Sequence, residues 1–160
     1  MLTRLAKSKL LKRSTGVKVR CWSGGGHLNK IWNWGDAVSP EICKLVTGRY
    51  PEVIDFLEIP EEPHLVVCGS VLRWISAYSV IWGAGAIAEK GRFMDRGEPP
   101  LHVAAVRGPL TRKRLIDAGV PCPKVYGDPA LLFPEYYRPA VEHEYELGII
   151  PHYVDKDAPA

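Results

Sequence analysis

The first 35 residues contain no aspartate or glutamate, and nowhere does the chain hold an apolar run near the ~20 residues that a membrane-spanning helix requires. The opening segment "MLTRLAKSKLLKRS" has neither an apolar h-region nor a small-residue cleavage site, so no secretory signal is expected and a cytoplasmic location is. C-x-x-C pairs are missing too. The four cysteines, Cys21, Cys43, Cys68 and Cys122, lie apart in apolar segments or beside prolines, which reads as free buried thiols of a reducing compartment. That pattern speaks against a metal centre. "HEYE" at 143–146 starts like a zincin helix but has Leu147 where the second histidine belongs, so no metalloprotease is expected. Internal repeats and low-complexity tracts are also lacking.

What is present is an ordinary globular composition, 46% hydrophobic and 24% charged, in a chain of 160 residues. That length fits one domain with a sizeable core. Charge is uneven. Residues 1–35 hold eight basic side chains: Arg4, Lys7, Lys9, Lys12, Arg13, Lys18, Arg20 and Lys30. The other thirteen Lys/Arg face all eighteen acids, so the amino end alone creates the net +3. Leu2, Leu5, Leu10 and Leu11 partly follow helical spacing within that basic stretch. Such a tail suits peripheral contact with an anionic lipid surface, and it equally suits a solvated frayed end. Nucleic acid is not an expected partner.

Strand and helix signals alternate from Val17 onward. "VKVRCWS" (17–23) runs as a strand into Gly24–Gly26. "SPEICKLVTG" (39–48) reads as a helix with Ser39 as N-cap, Pro40 at its first position and Gly48 as its stop. "HLVVCGS" (64–70), "SVIWGAG" (79–85) and "LHVAAVRGP" (101–109) are continuous apolar strands ending in small residues. Ser70 is placed to cap a short helical segment, "VLRWISAY". Pro109 opens the helix "PLTRKRLIDAG", closed by Gly119. "KVYGDPALLF" (124–133) reads as strand, turn and short apolar segment, and "YELGIIPHY" (145–153) as a last strand. Together these predict an α/β, Rossmann-like three-layer domain with a mostly parallel sheet over 17–144, preceded by a basic tail (1–16) and followed by a terminal strand and tail (145–160). Sites in such sheets lie at the carboxyl ends of the strands, which here are rich in glycine.

Several groups at those ends invite chemistry. "GAGAIA" (83–88) formally matches the dinucleotide fingerprint G-x-G-x-x-A, but Gly91 cuts off the expected helix and no strand-ending acid follows at the right distance. A turn allowing close backbone passage is the better reading. Arg107 ends a strand beside the helix start Gly108-Pro109, where free N–H groups attract anions. It could hold a phosphate or carboxylate, or pair with Asp128; the residues alone leave these even. Arg112, Lys113 and Arg114 read as a solvated helix face. Asp36 reads first as a helix cap and second as a ligand contact. Trp22, Trp32 and Trp34 could stack on a sugar, though large aromatics usually fill cores. Asp128-Pro129 is most simply a turn.

Taken in series, "NWGD" (33–36), "CGSVL" (68–72), "WGAG" (82–85), "VRGPLTRKRL…GVPCP" (106–123), "YGDPALLF" (126–133) and "LGIIPHYVDKD" (147–157) resemble the polysaccharide pyruvyl transferase family in order and spacing. The resemblance covers nearly the whole chain from Val17. It implies transfer of the enolpyruvyl carbons of phosphoenolpyruvate to two hydroxyls of a sugar, giving a cyclic pyruvate ketal in surface polysaccharide synthesis at the inner face of the membrane. Such a reaction needs cations for the donor's phosphate and carboxylate, an acid for the methylene carbon and a base for the sugar hydroxyl. By resemblance Arg107 is the donor-binding cation and Asp36 the group that orients or deprotonates the hydroxyl. Asn33, Gly35, Ser70, Gly83 and Gly85 complete the expected substrate cleft, with no metal and no cofactor beyond the donor itself. The family's GT-B-type arrangement adds a second domain with a donor-binding histidine in a Ser/Arg-Leu-His-Gly segment. That segment does not occur here, and His152 is no match for it. The chain thus resembles an amino-terminal half, for which a homo-oligomer or a second-domain partner is expected beside the saccharide acceptor. The alternative expectation is an inactive member that keeps sugar or anion binding.

Overall fold

The computed structural model describes residues 16–22 and 34–149 apart from positions 92 and 95, and the side chain at position 36 is outside it as well. Five short strands form one all-parallel sheet: β1 (Lys18–Cys21), β2 (Glu52–Asp55), β3 (His64–Val66), β4 (Ser79–Trp82) and β5 (His102–Ala105). Helices α1 (Trp34–Thr47) and α2 (Pro109–Asp117) are followed by a one-turn α3 (Phe133–Tyr136), with 3-10 turns at Leu72–Trp74 and Pro129–Leu132. This is an α/β, Rossmann-like domain. The strand order β2-β1-β3-β4-β5 reverses direction between β1 and β3. In doubly wound sheets, ligands bind outside the carboxyl ends of the strands at such a reversal.

The core joins the sheet to its cover through Ile42 of α1, Leu72 and Ile75 of the β3–β4 crossover, Ile81 of β4 and Leu115 of α2, all fully buried. No helix among the described residues is long and apolar enough to cross a membrane.

Four local expectations change. Helix α1 begins at Trp34, five residues before Ser39, so Pro40 lies inside it. Its inward stripe, Val38 and Ile42 buried and Leu45 half-buried, already keeps helical phase there, and Ser39 is 1% exposed with its Oγ accepting from Cys68 N at 3.3 Å. A hydroxyl held against a strand end cannot also cap its own helix. Gly48 does stop α1, with φ +73° and its N–H donating to Lys44 O at 2.8 Å.

Strand β2 has no counterpart in the sequence reading. "EVID" is short, follows a proline and carries acids, which are depleted in strands. It is the edge strand, where such residues are tolerated. Ser70 caps nothing: the 3-10 turn Leu72–Trp74 has Val71 before it and no side-chain cap. The segment "KVY" makes a single parallel bridge, Val106↔Tyr126, in place of a strand. Residues 145–149 form no strand and stand exposed, and the rest of that expected strand lies outside the described residues. An apolar run becomes a strand only where a neighbour offers a ladder for its N–H and C=O groups.

Candidate functional site

The carboxyl edge of the sheet is laced by backbone bonds between consecutive strand ends. Gly85 N donates to Gly69 O at 2.9 Å, Gly83 N to Ala105 O at 2.9 Å, Arg107 N to Ala84 O at 3.3 Å and Gly127 N to Val106 O at 3.1 Å. Gly83 has φ +94°, and a Cβ there would fall 2.1 Å from Pro129 Cδ and 2.8 Å from Gly127 O. The close fit explains why "WGAG" and "YGDP" occur together: one supplies the gap and the other fills it. Gly83 is therefore a packing residue.

Arg107 projects into this edge. Its Nη1 donates to Ser70 Oγ at 2.8 Å and its Nη2 to Ala86 O at 2.9 Å. The guanidinium lies over Gly85, where a Cβ would come within 2.6 Å of Nε and 2.7 Å of Cζ and Nη2. Both the hydroxyl beyond β3 and the missing side chain beyond β4 therefore serve one arginine. No carboxylate pairs with Arg107 among the described residues. Asp128 instead caps the following 3-10 turn, its Oδ1 accepting from Ala130 N at 3.0 Å. Two of the five guanidinium N–H groups are engaged, and the side chain is exposed. The start of α2 adjoins this cluster, since Thr111 Oγ1 accepts from Ala86 N at 3.3 Å.

Two arginines expected on a solvated face are engaged. Arg114 donates through Nη1 to Ala88 O and through Nη2 to Gly91 O at 3.0 Å, with its guanidinium 4.3 Å from the Phe93 ring centroid. Arg112 Nε donates to Cys122 O at 3.0 Å. Only Lys113 keeps the expected role, paired with Asp117 at 2.5 Å on the exposed side. The i, i+3 spacing of Thr111 and Arg114 was the available signal, because it places both on one helix face against the 86–91 loop.

The other site candidates divide. Gly35 and Asp36 lie in the first turn of α1, which reaches the same edge, as the Ser39–Cys68 bond and the Trp34–Phe133 ring pair (centroids 6.0 Å apart) attest. Asn33, Trp32 and Gly24–Gly26 lie outside the described residues, as does the Asp36 side chain. Trp22 is no sugar platform: it packs on Phe56 and Trp74 at 5.5 and 5.4 Å. Trp34 remains exposed. The Cys68 thiol beside Asp128 is pushed up to about 12, first by burial and then by that carboxylate, so it is a neutral thiol and no nucleophile at physiological pH.

No cluster of three His, Cys, Asp or Glu side chains suited to a metal ion occurs among the described residues. An open depression of about 660 Å³ lies at the other end of β5, between His102 and Pro121–Pro123. Its walls are mostly apolar and prolyl, so volume and chemistry point to different places; the fixed cation makes the carboxyl edge the better candidate. Compared with protein-family models, curated proteins and solved structures, the chain matches none.

Proposed function

We propose that this chain binds an anionic donor at Arg107, and that it acts as the motifs it resembles act, taking phosphoenolpyruvate and passing its enolpyruvyl group to a sugar as a pyruvate ketal. The observation that carries the reading is the exposed guanidinium fixed by Ser70 Oγ and Ala86 O over Gly85, with no carboxylate among the described residues to neutralise it. A fork already held in one rotamer binds a phosphate or carboxylate without a further ordering cost. Ser70 accepts from Arg107, which leaves its own O–H to donate to the same anion. The positive end of α2 adds to the attraction. In this reading Asp36, in the first turn of α1, orients or deprotonates the acceptor hydroxyl.

The runner-up is a sugar- or anion-binding module without turnover, which asks of the site only the fixed cation and the hydroxyl beside it. Dinucleotide binding is weaker still. Residues 84–91 after β4 open no helix, so a pyrophosphate would lack the helix N-terminus it normally occupies. One experiment separates the first two readings: incubation with phosphoenolpyruvate and pooled saccharides, reading ketal formation and phosphate release, beside a calorimetric titration of phosphoenolpyruvate. Turnover supports the transferase, and saturable binding alone supports the module. No binding, by the wild type as by Arg107→Met, sinks both.

A further inference from the structure

His64 opens β3 on the amino side of the sheet, far along the chain's path from the Arg107 edge, and is 2% exposed. Its Nδ1 lies 2.9 Å from Glu62 O and its Nε2 2.9 Å from Ser79 Oγ. A carbonyl only accepts, so Nδ1 carries the proton, and in the neutral ring Nε2 accepts from the Ser79 hydroxyl. Ser79 Oγ in turn accepts from Ser76 N at 3.0 Å, Ser79 N donates to Ser76 O at 3.0 Å, and His64 N donates to Tyr78 O at 3.1 Å. The fully buried Ser79 thus knots the 76–79 turn, and the imidazole ties that knot to β3.

The charged groups around the ring are few. Arg20, from β1, opposes a second positive charge; Glu62, just before β3, favours it but is paired with Lys18 of β1. Ser76, Tyr78 and Ser79 bring no charge from the side of β4, and the one carboxylate bonded to their turn among the described residues is Glu98, whose Oε2 accepts from Ala77 N at 3.4 Å and which His64→Gln leaves in place. Burial is the largest influence and holds the imidazole below its ordinary value.

We propose that the His64–Ser79 pair is an acid-released latch on the 76–79 turn, whose opening loosens the crossover that runs from Ser70 to β4. A proton on Nε2 would point at an oxygen already receiving Ser76 N–H, and the hydroxyl's own hydrogen would lose its acceptor. It would also set a second cation near Arg20. The sign follows from linkage. The closed form binds the proton less well than the open form, so opening is unaffected above about pH 6.5 and grows as the pH falls below it.

Hydrogen exchange on the full chain at pH 7.5 and pH 5, corrected for intrinsic rates, reads the latch at the amides of Ser76, Tyr78 and Ser79. One proton taken up at an ordinary value near 6.5 increases opening by up to about thirtyfold at pH 5. In His64→Gln, which stays uncharged, the acid-dependent step should vanish. Equal protection of the wild type at both pH values would overturn the proposal, as would the same acid loss in His64→Gln. If that variant does not fold, the imidazole titration in the wild-type protein decides: a value below 6.5 supports the latch, and a value at or above 6.5 overturns it.

Discussion

Arg20 in β1 and Arg107 beyond β5 both send a guanidinium to backbone carbonyls, yet one is 2% exposed and the other stands open to solvent. Arg20 donates to Trp74 O at 2.5 Å, Phe56 O at 2.9 Å and Glu58 O at 2.5 Å, lies 5.3 Å from the Phe56 ring centroid and leaves only Nε unpartnered. Burial brings it down to about 10, still protonated at neutral pH. Its charge holds three separate segments of chain together. Arg107 is held by others, through one hydroxyl and one carbonyl, and its remaining N–H groups meet no partner among the described residues. The difference teaches that an arginine's role follows from who orders whom. A guanidinium that organises its surroundings is structural, and one organised by them is available for binding.

Replacing each arginine by methionine, which keeps much of the stem, tests that division most severely. Arg20→Met leaves three carbonyls without their donor and should cost roughly 3–5 kcal/mol of stability, with no specific effect on anion affinity. Thermal unfolding of the two variants side by side makes the comparison. If Arg20→Met melts within a few degrees of the wild type, the structural half of the contrast fails.

Gly83→Ala tests whether the carboxyl edge is rigid enough to present a fixed cation. The added methyl meets a proline ring and a carbonyl oxygen, neither the far end of a flexible side chain, at a backbone φ of +94°. Overpacking and left-handed strain together should cost about 2–4 kcal/mol. A variant as stable as the wild type would mean that the Gly127-Asp128-Pro129 turn yields easily, and that the edge is softer than its lacing of backbone bonds indicates.

How far the sequence foretold this contrast depends on the kind of signal. Buried parallel strands announce themselves as apolar runs, so β1, β3, β4 and β5 were legible and their order fixed the edge where Ser70, Gly85 and Arg107 meet. Strand β2 was not, because an edge strand is made by its partner, β1, more than by its own four residues. Arg20 and Lys18 counted in the sequence as part of a basic end. In the fold Arg20 is buried and Lys18 is bound to Glu52 and Glu62, so neither adds to a free basic surface. No local pattern reveals that, since the partners lie more than thirty positions away. That Arg107 ends a strand beside a helix start was legible from Gly108-Pro109; its seat on Ser70 and Ala86 over Gly85 was not, because those partners lie beyond two other strands.

Arg107→Met should reverse the Arg20 result. Stability should change by less than about 1 kcal/mol, since the side chain is exposed and its loss strands no buried charge. Affinity for phosphate or phosphoenolpyruvate should fall about tenfold to a hundredfold, the loss of charge-assisted hydrogen bonds worth roughly 1.5–3 kcal/mol. Calorimetric titration beside a melting curve reads both. A large loss of stability with unchanged affinity would place Arg107 with Arg20 and end the functional assignment.

The smallest expected effect is the most selective. Gly85 has no positive φ, so a methyl group there brings no left-handed backbone strain, and the three atoms it would meet first are Nε, Cζ and Nη2 of Arg107. Those atoms end a flexible side chain and can move aside at a cost of about 1 kcal/mol or less. Gly85→Ala should therefore leave the melting temperature nearly unchanged while displacing the guanidinium from Ser70 and Ala86. Charge, fold and exposure all survive; only the placement of the cation is lost. If placement matters, anion affinity should fall severalfold, less than in Arg107→Met because the charge is still present, and Ser70→Ala should weaken binding in the same direction. Unaltered affinity in Gly85→Ala would show that Arg107 attracts anions as a mobile surface charge, and the distinction between an ordered and an ordering arginine would then carry no consequence for binding.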